Sequence, residues 1–189
     1  HWEVTSTRYA LNYNHVFSAN SYLIFNTSYL DHQSLYNVGD LSYQNYIFPE
    51  LDDNIEFVID GNNQSYMDLK SSTINVKADW VYQYGQNHEF KSGVELNQYH
   101  LDVFDYTNEG NNDDEFFLNE YDKKPVSASI YIQDKIEYSS IIINAGLRAD
   151  YVDVKAEAYN DISNPLSGLK KTEPEFKLSP RLGLAYPIS

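Results

Sequence analysis

Over residues 141–151 the chain alternates without interruption: Ile141, Ile143, Ala145, Leu147, Ala149 and Tyr151 take every second position, with Ile142, Asn144, Gly146, Arg148 and Asp150 between them. A helix would scatter these residues around its axis, whereas a strand sends the two sets to opposite faces. Such a strand needs an apolar medium on one side and water on the other. Its length is close to the ~9–11 residues that carry a tilted strand across a bilayer.

Three further segments repeat the pattern. Val126, Ala128, Ile130, Ile132, Ile136 and Tyr138 oppose Ser127, Ser129, Tyr131, Gln133, Lys135 and Glu137. Asp134 breaks that apolar face near one end, where an interface tolerates charge better than a bilayer midplane does. Ile74, Val76, Ala78, Trp80, Tyr82 and Tyr84 oppose Thr73, Asn75, Lys77, Asp79 and Gln83. Phe176, Leu178, Pro180, Leu182, Leu184 and Tyr186 oppose Lys177, Ser179, Arg181, Gly183 and Ala185. Three weaker strands begin at Tyr9, Leu11, Tyr13 and Phe17 (His15 shares their face), at Leu23, Phe25, Thr27 and Tyr29 (Ile24 spoils the polar side), and at Phe90, Val94 and Leu96. In the last, Tyr99, Leu101 and Val103 change parity, which a bulge or a strand running on beyond the membrane produces. The expected fold is all-β, an antiparallel up-and-down transmembrane β-barrel segment of about seven strands.

The connections carry the same message. Short turns are expected at Ser18-Ala19-Asn20-Ser21, Gly85-Gln86-Asn87-His88 and Tyr138-Ser139-Ser140, with long polar segments at roughly 31–70, 104–124 and 153–173. Membrane barrels pair short periplasmic turns with long extracellular loops, whereas a soluble sandwich spaces its turns more evenly. Inside 31–70, Ile55-Glu56-Phe57-Val58-Ile59 leads into Asp60-Gly61-Asn62, which predicts an extra hairpin turning there. Tyr82, Tyr84, Tyr138 and Tyr186 flank short turns, and Tyr29 and Tyr151 flank long connections. Amphipathic rings gather at these two edges of a hydrocarbon slab.

Composition removes several classes of function. Aromatic residues reach 15%, with 18 tyrosines, which fits two aromatic girdles better than an ordinary soluble domain. A mean hydropathy of -0.56 and the lack of an apolar run of about 18 residues exclude membrane helices only, because a barrel hides its apolar residues at alternate positions. Without cysteine there is neither a disulfide framework nor a thiolate metal site. The net charge of -15 offers nucleic acid no basic face. The acids collect in Asn112-Asp113-Asp114-Glu115 and Glu50-Leu51-Asp52-Asp53, read as solvated loops, with a loop-bound divalent cation as the alternative and no other cofactor expected. No nucleophile elbow, zinc-protease motif or phosphate-cradling loop occurs, so no enzyme is expected. The start at His1 without a signal segment, and the stop at Pro187-Ile188-Ser189 just after a strand, suggest a piece of a longer protein, truncated at both ends.

Two runs then resemble a known family. Tyr131-Ile132-Gln133-Asp134-Lys135-Ile136-Glu137-Tyr138, followed by Asn144-Ala145-Gly146-Leu147-Arg148-Ala149-Asp150-Tyr151, resembles a barrel hairpin of TonB-dependent receptors, as does Leu178-Ser179-Pro180-Arg181-Leu182-Gly183-Leu184-Ala185-Tyr186-Pro187. Asn14-His15-Val16-Phe17-Ser18 and His88-Glu89-Phe90-Lys91-Ser92-Gly93-Val94-Glu95 look similar to hairpins of members with a carboxypeptidase-like regulatory domain before the plug. The resemblance implies a bacterial outer-membrane barrel of around 22 strands with a plug in its lumen. It also implies TonB as the energy source and uptake of an iron chelate, a cobalamin or a glycan. Residues 1–189 would then be a partial barrel domain without the plug or the TonB-contact segment, its partners being outer-membrane lipid, the plug of the full-length chain, the TonB complex and, as an open question, a surface lipoprotein.

On this reading Lys77, Asp79, Lys135, Glu137, Arg148, Asp150 and Arg181 face the lumen, where they pair with each other and with the plug. Ligand binding would fall to loop residues such as Tyr43, Tyr46, Phe104, Tyr106, Phe116 and Phe117. His15 and His88 sit at short turns in interfacial roles, while His32 and His100 lie near long connections; His1 is terminal. Two other classes compete: a non-transport barrel serving as adhesin or as anchor of a glycan-binding complex, and a soluble β-sandwich that buries the 141–151 apolar face against a second sheet.

Overall fold

A computed structural model of the chain describes residues 1–45, 50–51, 58–60, 64–108, 116–159 and 168–186. In chain order the elements are β1 (Trp2–Ser18), β2 (Ser21–Asn37), a 3-10 turn (Tyr43–Asn45), β3 (Glu50–Leu51), β4 (Val58–Asp60), β5 (Gln64–Tyr84), β6 (His88–Asn108), β7 (Phe116–Lys123), β8 (Val126–Tyr138), β9 (Ile141–Asp153), β10 (Glu157–Tyr159), β11 (Leu169–Lys171) and β12 (Glu175–Ala185). The main sheet has the order β1-β2-β5-β6-β8-β9-β12, with β7 on the distal part of β6. This is the expected all-β, antiparallel, up-and-down arrangement. Two small sheets, β3-β4 and β10-β11, lie apart from it.

Contacts divide the chain into two units. One gathers Tyr9–Tyr29, Thr73–Tyr99 and Lys124–Ser189 and holds all three short turns; the other gathers His1–Arg8, Leu30–Ser72 and His100–Lys123. Within the first, the register of β8 on β9 and of β9 on β12 is unbroken. It assembles one apolar face from successive rungs: Val94-Ile130-Ala149-Leu178 and Ser92-Ile132-Leu147-Pro180. These side chains stay open to the surroundings, Ile130 at 61%, Leu147 at 43% and Leu182 at 75%. Among the described residues only Val81 and Val103 are buried hydrophobics. A soluble sandwich would bury the apolar side of its sheet, at about 25 cal/mol per Å² gained. Among the described residues nothing covers that side, which speaks against the β-sandwich reading.

Several strands are longer than their alternation suggested. β5 and β6 have 21 residues each, about twice the ~9–11 of a tilted crossing. The segments 31–70, 104–124 and 153–173, expected as long loops, therefore contain strand at 31–37, 64–70, 104–108, 116–123, 157–159 and 169–171. The physical reason is that a strand in water on both faces needs no hydrophobic alternation; its backbone is satisfied by the neighbouring strand alone. Val58–Asp60 pairs antiparallel with Glu50–Leu51; residues 55–57 and 61–62 of the expected extra hairpin and its turn lie outside the described residues.

The parity switch in β6 is resolved without a bulge. β6 pairs β8 from His88↔Ile136 to Gln98↔Val126 and pairs β7 from Leu101↔Lys123 to Asn108↔Phe116. Pro125 has no N–H to give, and the strand assignment lapses at Lys124-Pro125; yet its carbonyl accepts from the Tyr99 amide at 2.9 Å, and no residue is inserted. Leu101 and Val103 thus keep the parity of Lys91 and Glu95, and it is the character of the face that changes along the strand.

Candidate functional site: the polar face of the sheet

The face opposite the apolar band is a lattice of charge and amide. Its basic side chains bond acids two residues away on the same strand, the spacing at which strand side chains share a face. Lys77 lies 3.3 Å from Asp79, Lys91 3.0 Å from Glu89, and the Arg148 Nε 2.8 Å from Asp150. Lys135 pairs with Glu137 in the same manner. Asn75 donates to Asn97 Oδ1 at 2.7 Å and to Glu95 Oε1 at 3.2 Å, and Asn97 donates on to the Ser127 Oγ at 3.2 Å. This relay ties β5, β6 and β8 through side chains alone.

One contact spans a whole strand. Tyr131 on β8 donates its hydroxyl to Asp79 on β5 at 2.8 Å, crossing over β6. It crosses at Gly93, its register partner, where a Cβ would stand 2.5 Å from both the Tyr131 Cε1 and the Asp79 Oδ1. Only glycine leaves the ring that path. Sequence reasoning had put Tyr131 on the polar face without a role and passed over Gly93. A glycine alone among longer polar residues inside a strand is a usable sign of close approach.

The expected polar-face residues Lys77, Asp79, Lys135, Glu137, Arg148, Asp150 and Arg181 all fall in this first unit. Register brings Tyr131, Arg148 and Ser179 into one rung and Gln133, Gly146 and Arg181 into the next. Four of the aromatic ligand candidates lie in strands of the second unit rather than in loops. Phe104 and Tyr106 are in β6, opposite Glu120 and Leu118; Phe116 and Phe117 are in β7, opposite Asn108 and Thr107. Phe104 meets Tyr66 edge-on at 5.9 Å, and Phe117 is exposed. Tyr43 begins the 3-10 turn, and Tyr46 lies outside the described residues. His100, expected near a loop, is within β6 and bonds Asp122 at 2.9 Å; His32 is likewise within β2. Also in that second unit, Lys70 is held above its ordinary pKa by its hydrogen bond to Asp68, with Asp102 adding to the effect. That contribution to stability is complete below the normal lysine pKa and is lost only as pH rises through the raised value.

On the apolar face the rings cluster at the β5–β6 turn. Trp80, Tyr82, Tyr84, His88 and Phe90 follow one another at centroid separations of 5.7, 6.4, 6.4 and 6.0 Å. The Trp80 indole N–H is satisfied by the Ser21 Oγ at 2.9 Å. Asp134, the charge that interrupts this face, accepts His88 Nδ1 at 2.8 Å. Among the described residues no group of three or more histidines and acids is placed to hold a metal. The stretch 112–115 and residues 52–53 lie outside them.

A long antiparallel sheet with an open apolar band, an aromatic run beside a short turn and a wet, ion-paired reverse side is the wall of a membrane β-barrel. The whole chain, residues 1–189, matches the family described as TonB dependent receptor-like, beta-barrel, and it belongs to that family. Its members are outer-membrane transport receptors and not enzymes, and the family implies a plug domain and interaction with TonB. No curated protein matches the chain.

Proposed function

We propose that residues 1–189 form one stretch of the wall of a larger barrel that imports a bulky, scarce nutrient, an iron chelate, a cobalamin or a glycan, by TonB-driven movement of a plug. The apolar band borders lipid. The polar face borders the lumen, where Lys77, Asp79, Lys135, Glu137, Arg148, Asp150 and Arg181 contact water and the plug. Ligand would first meet the extracellular strand ends, where Phe104, Tyr106 and Phe117 are placed. The observation that carries this reading is the unbroken two-faced register of β6, β8, β9 and β12, apolar and exposed on one side and ion-paired on the other.

Single cysteines in the full-length receptor, spin-labelled in native outer membranes, test the face assignment. Labels at Ile130, Leu147 and Leu178 should relax with dissolved oxygen, and labels at Ser129 and Ser179 with a water-soluble nickel chelate. Labels at alternate positions that respond alike would contradict it. Transport itself is tested by uptake in cells lacking TonB: loss of uptake supports a transporter, whereas a surface function that persists unchanged points to the adhesin or anchor reading.

A further inference from the structure

One acid stands on the apolar face. Over 74–84, 88–98, 126–138, 141–151 and 176–186 the positions of that face carry Asp134, His88 and no lysine or arginine. The two belong to the same unit. His88 directly follows the Gly85-Gln86-Asn87 turn, and its Nδ1 lies 2.8 Å from Asp134 Oδ2. The carboxylate is thereby fixed close to the turn end of the sheet, where a charge on this face costs least. A histidine Nδ1–H donates one hydrogen bond, whether the ring is neutral or protonated. It therefore serves a single carboxylate oxygen. Oδ1, the other, is covered by protein and has no hydrogen-bond partner among the described residues. A carboxylate oxygen so placed is unfavourable, and the face supplies no lysine or arginine to relieve it.

The surroundings of this carboxylate favour one kind of cation. Phe90 stands opposite Asp134 on β6, and Ala145 stands opposite it on β9. The alanine is small, and the Asp134 side chain stays 20% exposed. On the β6 side the rings of Tyr84, His88 and Phe90 follow at 6.4 and 6.0 Å, with Tyr82 and Trp80 beyond. Ring faces attract a cation that has shed part of its water. The χ2 torsion of an aspartate is soft, so a modest turn about it offers Oδ1 to a donor from the medium. A divalent ion prefers six or more oxygen ligands, whereas this place has one carboxylate and a run of rings. A compact ammonium matches both, since its N–H groups bond the carboxylate while its charge lies against the rings. At the edge of a bilayer the group with that chemistry is the headgroup of an aminophospholipid.

We propose that Asp134, with the rings of Tyr84, His88 and Phe90, holds the primary ammonium of an aminophospholipid such as phosphatidylethanolamine at the short-turn edge of the apolar band. The site rests on the reading of that band as the lipid border. It is tested by native mass spectrometry of the detergent-solubilised full-length receptor. Phosphatidylethanolamine, its N-methyl and N,N-dimethyl forms and phosphatidylcholine, all with the same acyl chains, compete in pairs. Retention should fall stepwise as methyl groups replace the N–H donors, by about tenfold from end to end, the factor that 1.4 kcal/mol corresponds to. Asp134→Asn should bring the four lipids level, and Phe90→Leu should leave a smaller preference. A flat series in the unaltered receptor overturns the site, and so does a preference that survives Asp134→Asn. The methylation series needs no variant, so it decides the matter even where Asp134→Asn assembles poorly. The spin-label measurements report the band independently, and labels that meet lipid beside a flat series remove the headgroup site alone.

Discussion

Leu147→Arg should abolish outer-membrane assembly of the full-length receptor, while Asn144→Arg leaves most of it intact. Leu147 is the middle residue of β9 and lies between Ile132 and Pro180 on the open apolar face. A guanidinium at that depth meets acyl chains, where lysine or arginine costs about 2–4 kcal/mol. Folded proteins commonly hold a net stability of only about 5–15 kcal/mol. Asn144 stands between Lys135 and Gly183 on the polar face. A longer side chain there has room above Gly183, and repulsion from Lys135, already bonded to Glu137, amounts to less than about 1 kcal/mol. The folded fraction of each variant, read from heat-modifiable gel migration of outer-membrane preparations, checks the difference. Similar folded fractions would mean that the faces are wrongly assigned.

Gly93→Val tests the other side of the sheet. Its Cβ would enter space held by the Tyr131 ring and the Asp79 carboxylate, so the hydroxyl–carboxylate bond of 2.8 Å must open. Overpacking of this sort costs about 1–3 kcal/mol, and losing a hydrogen bond to a charged group costs roughly 1.5–3 kcal/mol more. The expected result is a clear fall in the urea midpoint of the refolded full-length receptor. Tyr131→Ala in the same background should recover part of it, with a coupling between the two sites of about 0.5–3 kcal/mol. Gly183→Ala is the control, since its Cβ would have only the Asn144 Cβ within ordinary contact distance at 3.8 Å. Equal midpoint shifts for Gly93 and Gly183 would remove the crossing tyrosine from the account of stability.

Within the apolar band, strand position was legible residue by residue. The alternations at 126–138 and 141–151 are β8 and most of β9, and the turn at Tyr138-Ser139-Ser140 joins them. Hydrocarbon on one side and water on the other impose a period of two, and that period is written in the side chains. Where both faces meet water the constraint vanishes, and so did the signal: 104–108 and 116–123 are strand, though they read as loop. Phe104, Tyr106, Phe116 and Phe117 read as loop residues and lie in strands for the same cause. On the polar face the sequence showed which residues share a side but not which of them touch. Asp79 and Tyr131 are 52 residues apart, and nothing in their spacing marks them as partners.

Periodicity alone thus determined the all-β class, the two faces and the short turns, because each follows from the medium that a side chain meets. Register was left to tertiary pairing: which strand stands beside which, and hence the Tyr131 crossing at Gly93, the pairing of His88 with Asp134 and the placing of Arg148 and Arg181 on adjacent rungs. The reason is that alternation constrains each strand separately. It leaves the offset between neighbours to backbone hydrogen bonds that every residue but proline can make, and so to the assembled sheet.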